Sequence, residues 1–213
     1  MTALPTLDVL LAFTAASFVL IITPGPDMML FVGQTLTAGR ARGFAALLGV
    51  TTGLFVHSML AAFGLSALLA ASTTAFAAVK IAGVVYLLWL ALAALRHGSA
   101  LTLRPEPGIK RPLWRVYLIG VGVNLLNPKI VMFFVTFLPQ FVSIQDPHAG
   151  AKLLFLGLYF IVLELPCCSS MILFAHHFTT AIQRSPQAMR VIDYLFAGLM
   201  GAFAARLLWA RGT

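Results

Sequence analysis

The chain has 213 residues, of which 61% are hydrophobic and only 9% are charged. A soluble domain usually carries about 25% charged residues, so this composition excludes an ordinary soluble domain and indicates a membrane protein. The net charge of +8 lies in short loops between apolar segments, which favours a positive-inside bias over nucleic-acid binding.

Six apolar segments follow one another along the chain. A hydrocarbon core of about 30 Å needs roughly 20 helical residues to cross it, and lipid cannot satisfy exposed backbone groups, so we predict helices. The predicted spans cover about Val9–Val32, Gly43–Ala70, Ala75–Leu95, Val116–Phe141, Gly150–Ala175 and Val191–Trp209. We therefore expect a single all-α integral membrane domain over residues 1–213.

A basic, proline-containing loop at about residues 97–115 divides the chain into repeat 1, about residues 1–96, and repeat 2, about residues 116–213. Pro26-Asp27 and Pro128-Lys129 each place one charge after a helix breaker and before an apolar run. Because three spans in each half is an odd number, the second half enters the membrane in the opposite sense, as in many secondary transporters. The sequence thus predicts six transmembrane helices as two inverted three-helix repeats.

The Lys and Arg positions predict the orientation. With the N-terminus outside, nine basic residues fall in cytoplasmic loops and four on the outer side, the bias that the positive-inside rule favours. The nine are Arg40, Arg42, Arg96, Arg104, Lys110, Arg111, Arg115, Arg184 and Arg190, and the four are Lys80, Lys152, Arg206 and Arg211. We expect both termini on the outer side.

The segment Thr23-Pro24-Gly25-Pro26-Asp27 interrupts the first span. The prolines lack a donor N–H, so the carbonyls before them lose their helical partners, and Gly25 allows close approach. Such carbonyls can accept an ammonium group, and the N-terminus of the resumed helix can accept a carboxylate. We expect Asp27 to face a cavity. The alternatives are an acid that reaches headgroup water and a kink that only shapes packing.

Lys129 lies near the middle of the fourth span and needs a partner or a wet cavity there. Asp27 is its natural partner by repeat symmetry. The two can form a structural salt bridge or a gating pair, or Lys129 can contact a substrate carboxylate. The predicted substrate-binding residues are Pro24, Gly25, Pro26, Asp27, Asn124, Asn127, Pro128 and Lys129.

Glu164 lies halfway along the fifth span with no basic neighbour in sequence. A buried carboxyl group that can become neutral suits a proton carrier, so we predict proton coupling by Glu164 together with Asp27. The alternative is a protonated acid that hydrogen-bonds to another helix. His57 is a possible further site residue, although a lone membrane histidine is more often a packing residue. The small face around Gly49 and Gly53 favours close helix packing and permits a homodimer.

The chain carries ITPGPDMMLFV at residues 22–32, a Gly-Arg-x-Arg-Gly turn at 39–43, LGVTTG at 48–53, KIAGVVYLLWLALAALR at 80–96 and NPKIVMFFVTFLPQF at 127–141. This combination resembles the lysine exporter (LysE) superfamily, and within it the homoserine/threonine exporter (RhtB-type) branch. The resemblance implies a multi-pass protein of a bacterial-type inner membrane. It also implies proton-driven export of a neutral or hydroxylated amino acid, similar to homoserine, threonine or leucine.

Other functions stay open. The chain could export cations, for which Asp27 and Glu164 supply oxygen ligands, or another small metabolite. A membrane-embedded enzyme would need a nucleophile near a base, such as Ser169 or Ser170 with His57. The sequence has no GxxxxGK[ST], HExxH or GxSxG motif and only two cysteines. We therefore expect no enzymatic activity, no cofactor, no bound metal and no nucleic-acid partner.

Overall fold

The computed structural model describes residues 4–65, 111–143 and 146–209, together with Ile81, Val85, Leu88, Trp89 and Leu92. No strand occurs in these ranges, so the prediction of an all-α chain is confirmed for them. Most of the third predicted span and of the basic loop lies outside the described residues. The plan of six helices in two inverted repeats therefore stays a prediction.

Eight helices are described: α1 Leu7–Ile22, α2 Pro26–Ala38, α3 Arg40–Met59, α4 Leu113–Leu125, α5 Pro128–Met132, α6 Ala149–Leu173, α7 Ala175–Arg184 and α8 Pro186–Trp209. A π-helix over Leu60–Leu65 extends α3. A π-helix over Phe133–Phe137 and a 3-10 turn over Leu138–Phe141 extend α5. Within the described residues, α3 with its extension and α6 are long and apolar enough to cross a membrane. The bent pairs α1–α2 and α4–α5 bring the total to four if each pair is one span.

Each bent pair breaks at a proline. The bend is 52° between α1 and α2 and 49° between α4 and the helical run that begins with α5. Pro24 cannot donate to the Leu20 carbonyl, and Pro128 cannot donate to the Asn124 carbonyl, so the helical ladder stops at both places. Pro26 and Pro128 then occupy the first turn of the next helix, where the missing N–H costs little. The structure thus has a helix break at each of the two predicted motifs.

Aromatic side chains fill the space between α1, the extension of α5, and α6. The rings of Phe13 and Phe141 meet edge to face with centroids 5.2 Å apart, and those of Phe133 and Phe160 lie 4.6 Å apart. Such ring pairs add stabilisation beyond the area that they bury. This packing holds α6 beside both helix breaks.

The backbones of α3 and α4 touch where they cross. A Cβ at Gly49 would lie 2.1 Å from the Tyr117 carbonyl oxygen, and one at Gly120 would lie 2.4 Å from the Ala46 carbonyl oxygen. The hydroxyl groups of Thr52 and Tyr117 hydrogen-bond at 3.0 Å across the same crossing. The predicted small face therefore packs helices inside one chain, and the homodimer stays a prediction.

Two arginines hydrogen-bond to backbone carbonyls near the ends of other helices. Arg40 donates to the Leu173 carbonyl at 2.9 Å, and Arg42 donates to the Arg111 carbonyl at 2.8 Å. The beginnings of α3 and α4 and the end of α6 therefore lie together. These ends carry basic residues that the sequence predicts to share one side.

The segment between the last two predicted spans contains a helix that the apolar pattern does not predict. It forms α7, which packs against α2, α6 and α8, and α8 begins at Pro186 instead of the predicted Val191. The sequence of α7, AHHFTTAIQR, is too polar for a search based on apolar runs. An amphipathic helix of this kind shows itself by its period, not by its mean hydropathy.

Candidate functional site

A small cavity lies where the two helix breaks meet α6. Its polar lining consists of Thr23, Asp27, Asn127, Lys129, Glu164 and Cys168. The cavity volume available to water is about 30 Å³, and a single water needs roughly 10–15 Å³. In this conformation the cavity has room for about two or three waters but not for an amino acid, and we call this narrow conformation closed.

Asp27 is held by side chains of the opposite break. Its Oδ2 accepts hydrogen bonds from Asn124 Nδ2 and Asn127 Nδ2, both at 2.9 Å. The residue is only 8% exposed. Its Oδ1 has no hydrogen-bond partner among the described residues. One carboxylate oxygen is thus fixed by two amides, while the other is open to a further donor.

The two asparagines are themselves positioned by local structure. Asn127 is the N-cap of α5, and its Oδ1 accepts from the Lys129 N–H at 3.0 Å. Asn124 fits against α3 only because residue 53 is glycine, since a Cβ at Gly53 would lie 2.5 Å from Asn124 Oδ1. His57 hydrogen-bonds to the backbone of Asn124 and stacks on a phenylalanine ring at 5.5 Å. His57 therefore helps to position Asn124 and does not line the cavity.

Lys129 reaches the first break. Its Nζ donates to the Leu20 carbonyl at 2.9 Å and to the Thr23 carbonyl at 2.7 Å. Leu20 is the residue whose carbonyl Pro24 leaves without a helical donor. The ammonium group also packs against Gly25, where a Cβ would lie at an ordinary contact distance of 3.4 Å from Nζ.

Asp27 and Lys129, which the sequence offers as natural partners, do not form a direct ion pair in this conformation. Among the described residues no ion pair joins them, whereas Asp146 and Lys152, near the start of α6, do form one. The physical reason is that neutral groups of the opposite break bind each charge at hydrogen-bond distance. Four hydrogen bonds thus cross between the breaks, two to the Asp27 carboxylate and two from the Lys129 ammonium.

Glu164 brings a third ionisable group to the same cavity. It lies on α6, is 5% exposed, and its Oε2 has no hydrogen-bond partner within the described ranges. It is close enough to Asp27 and Lys129 to interact with both electrostatically. Cys168 follows one turn later on α6 and lines the cavity as well.

The structure brings most of the predicted site residues together. Five of them line the cavity: Gly25, Asp27, Asn127, Lys129 and Glu164. Pro24, Pro26 and Pro128 lie at the helix breaks. Asn124 donates to Asp27, and His57 contacts Asn124. Leu20, Thr23 and Cys168 are not among the residues that the sequence predicts for the site. The sequence does carry a signal for two of these residues. Leu20 stands four residues before Pro24 and so loses its helical donor, and Cys168 stands four residues after Glu164 and so lies on the same helix face.

The described residues contain no cluster of three or more His, Cys, Asp or Glu side chains that could hold a metal ion. Cys167 and Cys168 are free thiols. Ser170 Oγ donates to the Cys167 carbonyl at 2.6 Å, while His57 contacts Asn124. Ser170 and His57, two of the three residues that the enzymatic alternative names, therefore have other partners.

Comparison with known proteins gives a consistent result. The family model of the LysE type translocator matches residues 18–211 of the chain. The homoserine/homoserine lactone efflux protein of Salmonella typhimurium is 29% identical over 200 residues, which cover 94% of this chain and 96% of that protein. The membrane protein YrhP of Bacillus subtilis, itself uncharacterized, is 32% identical over 144 residues, 64% of this chain and 69% of that protein. No solved structure matches the chain. The resemblance read from the motifs is confirmed.

Proposed function

Since the chain belongs to the LysE type translocator family, we propose that it exports a neutral or hydroxylated amino acid from the cytoplasm in exchange for protons. The family is one of translocators and the Salmonella relative is named as an efflux protein, which points away from an enzyme. Efflux proteins for homoserine and homoserine lactone match over 94% of the chain, which supports homoserine or a similar small amino acid as the substrate.

The observation that carries the proposal is the cavity between the two helix breaks. It gathers an acid from the first break, a base from the second and a further acid from α6 in an otherwise apolar bundle. A charge at the centre of a membrane helix costs about 2.5–3.5 kcal/mol on insertion scales, so scaffolding alone does not favour three such residues. The ammonium group of an amino acid needs acceptors, and Asp27 and Glu164 supply them at this cavity.

Proton exchange follows from the chemistry of the acids. An ionised carboxylate attracts a substrate ammonium group, whereas the protonated acid does not. If Glu164 gains a proton from the outside, it releases the substrate there, and it becomes free to bind substrate again after losing the proton to the cytoplasm. The Oε2 atom of Glu164, which has no hydrogen-bond partner among the described residues, supports this role. Proton and substrate then occupy the site alternately, which is the condition for exchange.

Transport also requires the closed cavity to widen toward each side in turn. The four hydrogen bonds between the breaks hold the closed conformation. We assign the side with Arg40, Arg42 and Arg111 to the cytoplasm, because short basic loops stay inside. Both chain termini then lie outside in a bacterial-type inner membrane.

Proteoliposomes whose lumen is held more acidic than the outside test the proposal. We expect them to accumulate radiolabelled L-homoserine with the wild-type protein. Asp27→Asn is expected to lose both gradient-driven uptake and homoserine exchange, since it weakens binding itself. Glu164→Gln is expected to lose gradient-driven uptake but to keep homoserine exchange at a higher homoserine concentration, since the variant lacks the proton site and one of the two carboxylates while Asp27 still attracts the ammonium group. The matched control is Asp146→Asn, an acid outside the cavity. If Asp27→Asn and Glu164→Gln both transport like the control, the site assignment is wrong.

A further inference from the structure

The carbonyls of Leu20 and Thr23 form a pair of acceptors that the helix break creates. Pro24 has no N–H to offer Leu20, and α1 ends at Ile22, so neither carbonyl has its usual helical donor. Both instead bind the Lys129 ammonium, at 2.9 Å and 2.7 Å. An ammonium group, with its three donors, is the chemical group that such a pair accepts.

From this geometry we propose that the carbonyl pair of Leu20 and Thr23 is the subsite for the substrate's ammonium group. Lys129 occupies it as an internal competitor until the substrate displaces it. This inference rests on the proposed function and adds to it. It states that the substrate is recognised by a primary ammonium group, and that Lys129 is not the ligand of a substrate carboxylate.

The polar groups around the cavity favour a cation. Asp27 Oδ1 and Glu164 Oε2 are acceptors without a hydrogen-bond partner among the described residues. The donors, Asn127 Nδ2 and Lys129 Nζ, are both engaged by the protein itself. Two acceptors at the cavity thus lack a partner, whereas each of these donors already makes at least one hydrogen bond, so the cavity lacks donors more than acceptors. A displaced Lys129 keeps acidic partners, because Asp27 and Glu164 line the same cavity.

The exchange of ammonium groups also explains how the substrate promotes opening. Lys129 belongs to α5, so its two hydrogen bonds tie the second break to the first. A substrate ammonium satisfies the same carbonyls without any covalent link to α5. Two of the four hydrogen bonds between the breaks are then lost, and only those to Asp27 remain to hold the closed conformation.

Binding measurements on the full-length protein in lipid nanodiscs test this assignment. Lys129→Met keeps an unbranched apolar side chain but removes the competing ammonium. We expect it to bind L-homoserine about tenfold more tightly or better, because the wild-type affinity is reduced by the fraction of sites that Lys129 fills. L-homoserinamide, which lacks a carboxylate, is expected to show the same gain. Lys152→Met, a lysine outside the cavity, is expected to bind both compounds like the wild type.

The opposite role of Lys129 gives the opposite result. If its ammonium binds the substrate carboxylate, Lys129→Met weakens homoserine binding and leaves homoserinamide unchanged. That outcome overturns the inference, and so does unchanged affinity for both compounds. Wild-type protein that neither binds nor exports homoserine or similar amino acids overturns the proposed function, and the inference with it. Normal wild-type export with weakened homoserine binding in Lys129→Met overturns the inference alone.

A second measurement does not depend on the folding of Lys129→Met. The chain has four lysines, so replacing Lys80, Lys110 and Lys152 by arginine leaves Lys129 as the single source of a lysine ¹⁵Nζ signal. Once this variant is shown to export homoserine, saturating homoserine is expected to shift that signal as the ammonium leaves the two carbonyls. A signal that stays in place at saturation contradicts the displacement.

Discussion

Asn127 makes two contacts that can be removed together by one substitution. Its amide donates to Asp27 Oδ2 at 2.9 Å, and its Oδ1 caps α5 through the Lys129 N–H at 3.0 Å. A hydrogen bond to a charged group contributes about 1.5–3 kcal/mol and an N-cap about 0.5–2 kcal/mol. We therefore expect Asn127→Ala to lower the free energy of unfolding by about 2–5 kcal/mol.

A double-mutant cycle with Asp27→Ala isolates the contact between the two breaks. Unfolding free energies are measured in bicelles by steric trapping for the wild type, both single variants and the double variant. The coupling energy is expected to be about 1.5–3 kcal/mol, because the two residues share one charge-assisted hydrogen bond.

Gln140→Ala is the matched control for this cycle. Gln140 also contributes a side-chain amide from the second half of the chain, but it donates to the Thr136 carbonyl at 3.1 Å and not to the first break. We expect it to cost about 0.5–1.5 kcal/mol and to show no coupling to Asp27→Ala. A coupling energy for Asn127 below about 0.5 kcal/mol, the usual error of additivity, would refute the idea that the two breaks hold each other.

Three further predictions concern packing, access and pH. Gly49→Ala is expected to lower the melting temperature in detergent clearly, because its Cβ would lie 2.1 Å from a backbone oxygen. Gly25→Ala is expected to change the melting temperature little, because its Cβ would lie 3.4 Å from its nearest neighbouring atom. Equal shifts in the two variants would contradict the packing. With the neighbouring cysteine changed to serine, Cys168 is expected to react slowly with a maleimide and at a different rate when homoserine is present, since it lines the closed cavity; a rate insensitive to homoserine speaks against the site. The hydrogen bond from Lys152 holds the pKa of Asp146 below its usual range. The contact of the Asp146 carboxylate with the His148 amide is therefore present above the unfolded-state pKa of about 3.9, and it is lost as the pH falls through the lower folded-state pKa. Protection of the His148 amide against hydrogen exchange is therefore expected to stay constant from pH 7 to about pH 4, and a loss already at pH 6 would contradict this contact.

The sequence predicts the helix breaks well because their cause is local. A proline without an N–H interrupts the ladder wherever it stands, and this locates the breaks at Pro24 and Pro128. The position of Glu164 near the breaks depends instead on how α6 packs. The aromatic contacts between Phe133 and Phe160 that place this helix are long-range and leave no pattern along the chain.

The partners of Asp27 and Lys129 could not be predicted from charge alone. Opposite charges in a membrane suggest a pair, but an unpaired backbone carbonyl also has to be satisfied there. Lys129 satisfies two such carbonyls, and the amide of Asn127 satisfies Asp27. Choosing between these arrangements requires the distances across the two breaks, which are properties of the folded chain.

The most direct test of the account is a measurement of lumenal pH in proteoliposomes loaded with L-homoserine and a pH-sensitive dye. When the outside is diluted, homoserine leaves down its gradient, and exchange brings protons in. Proton exchange requires that the lumen acidifies in step with homoserine loss, and Glu164→Gln, with homoserine on both sides of the membrane, is expected to exchange it without acidification. Homoserine efflux from wild-type proteoliposomes with a constant or rising lumenal pH would contradict it.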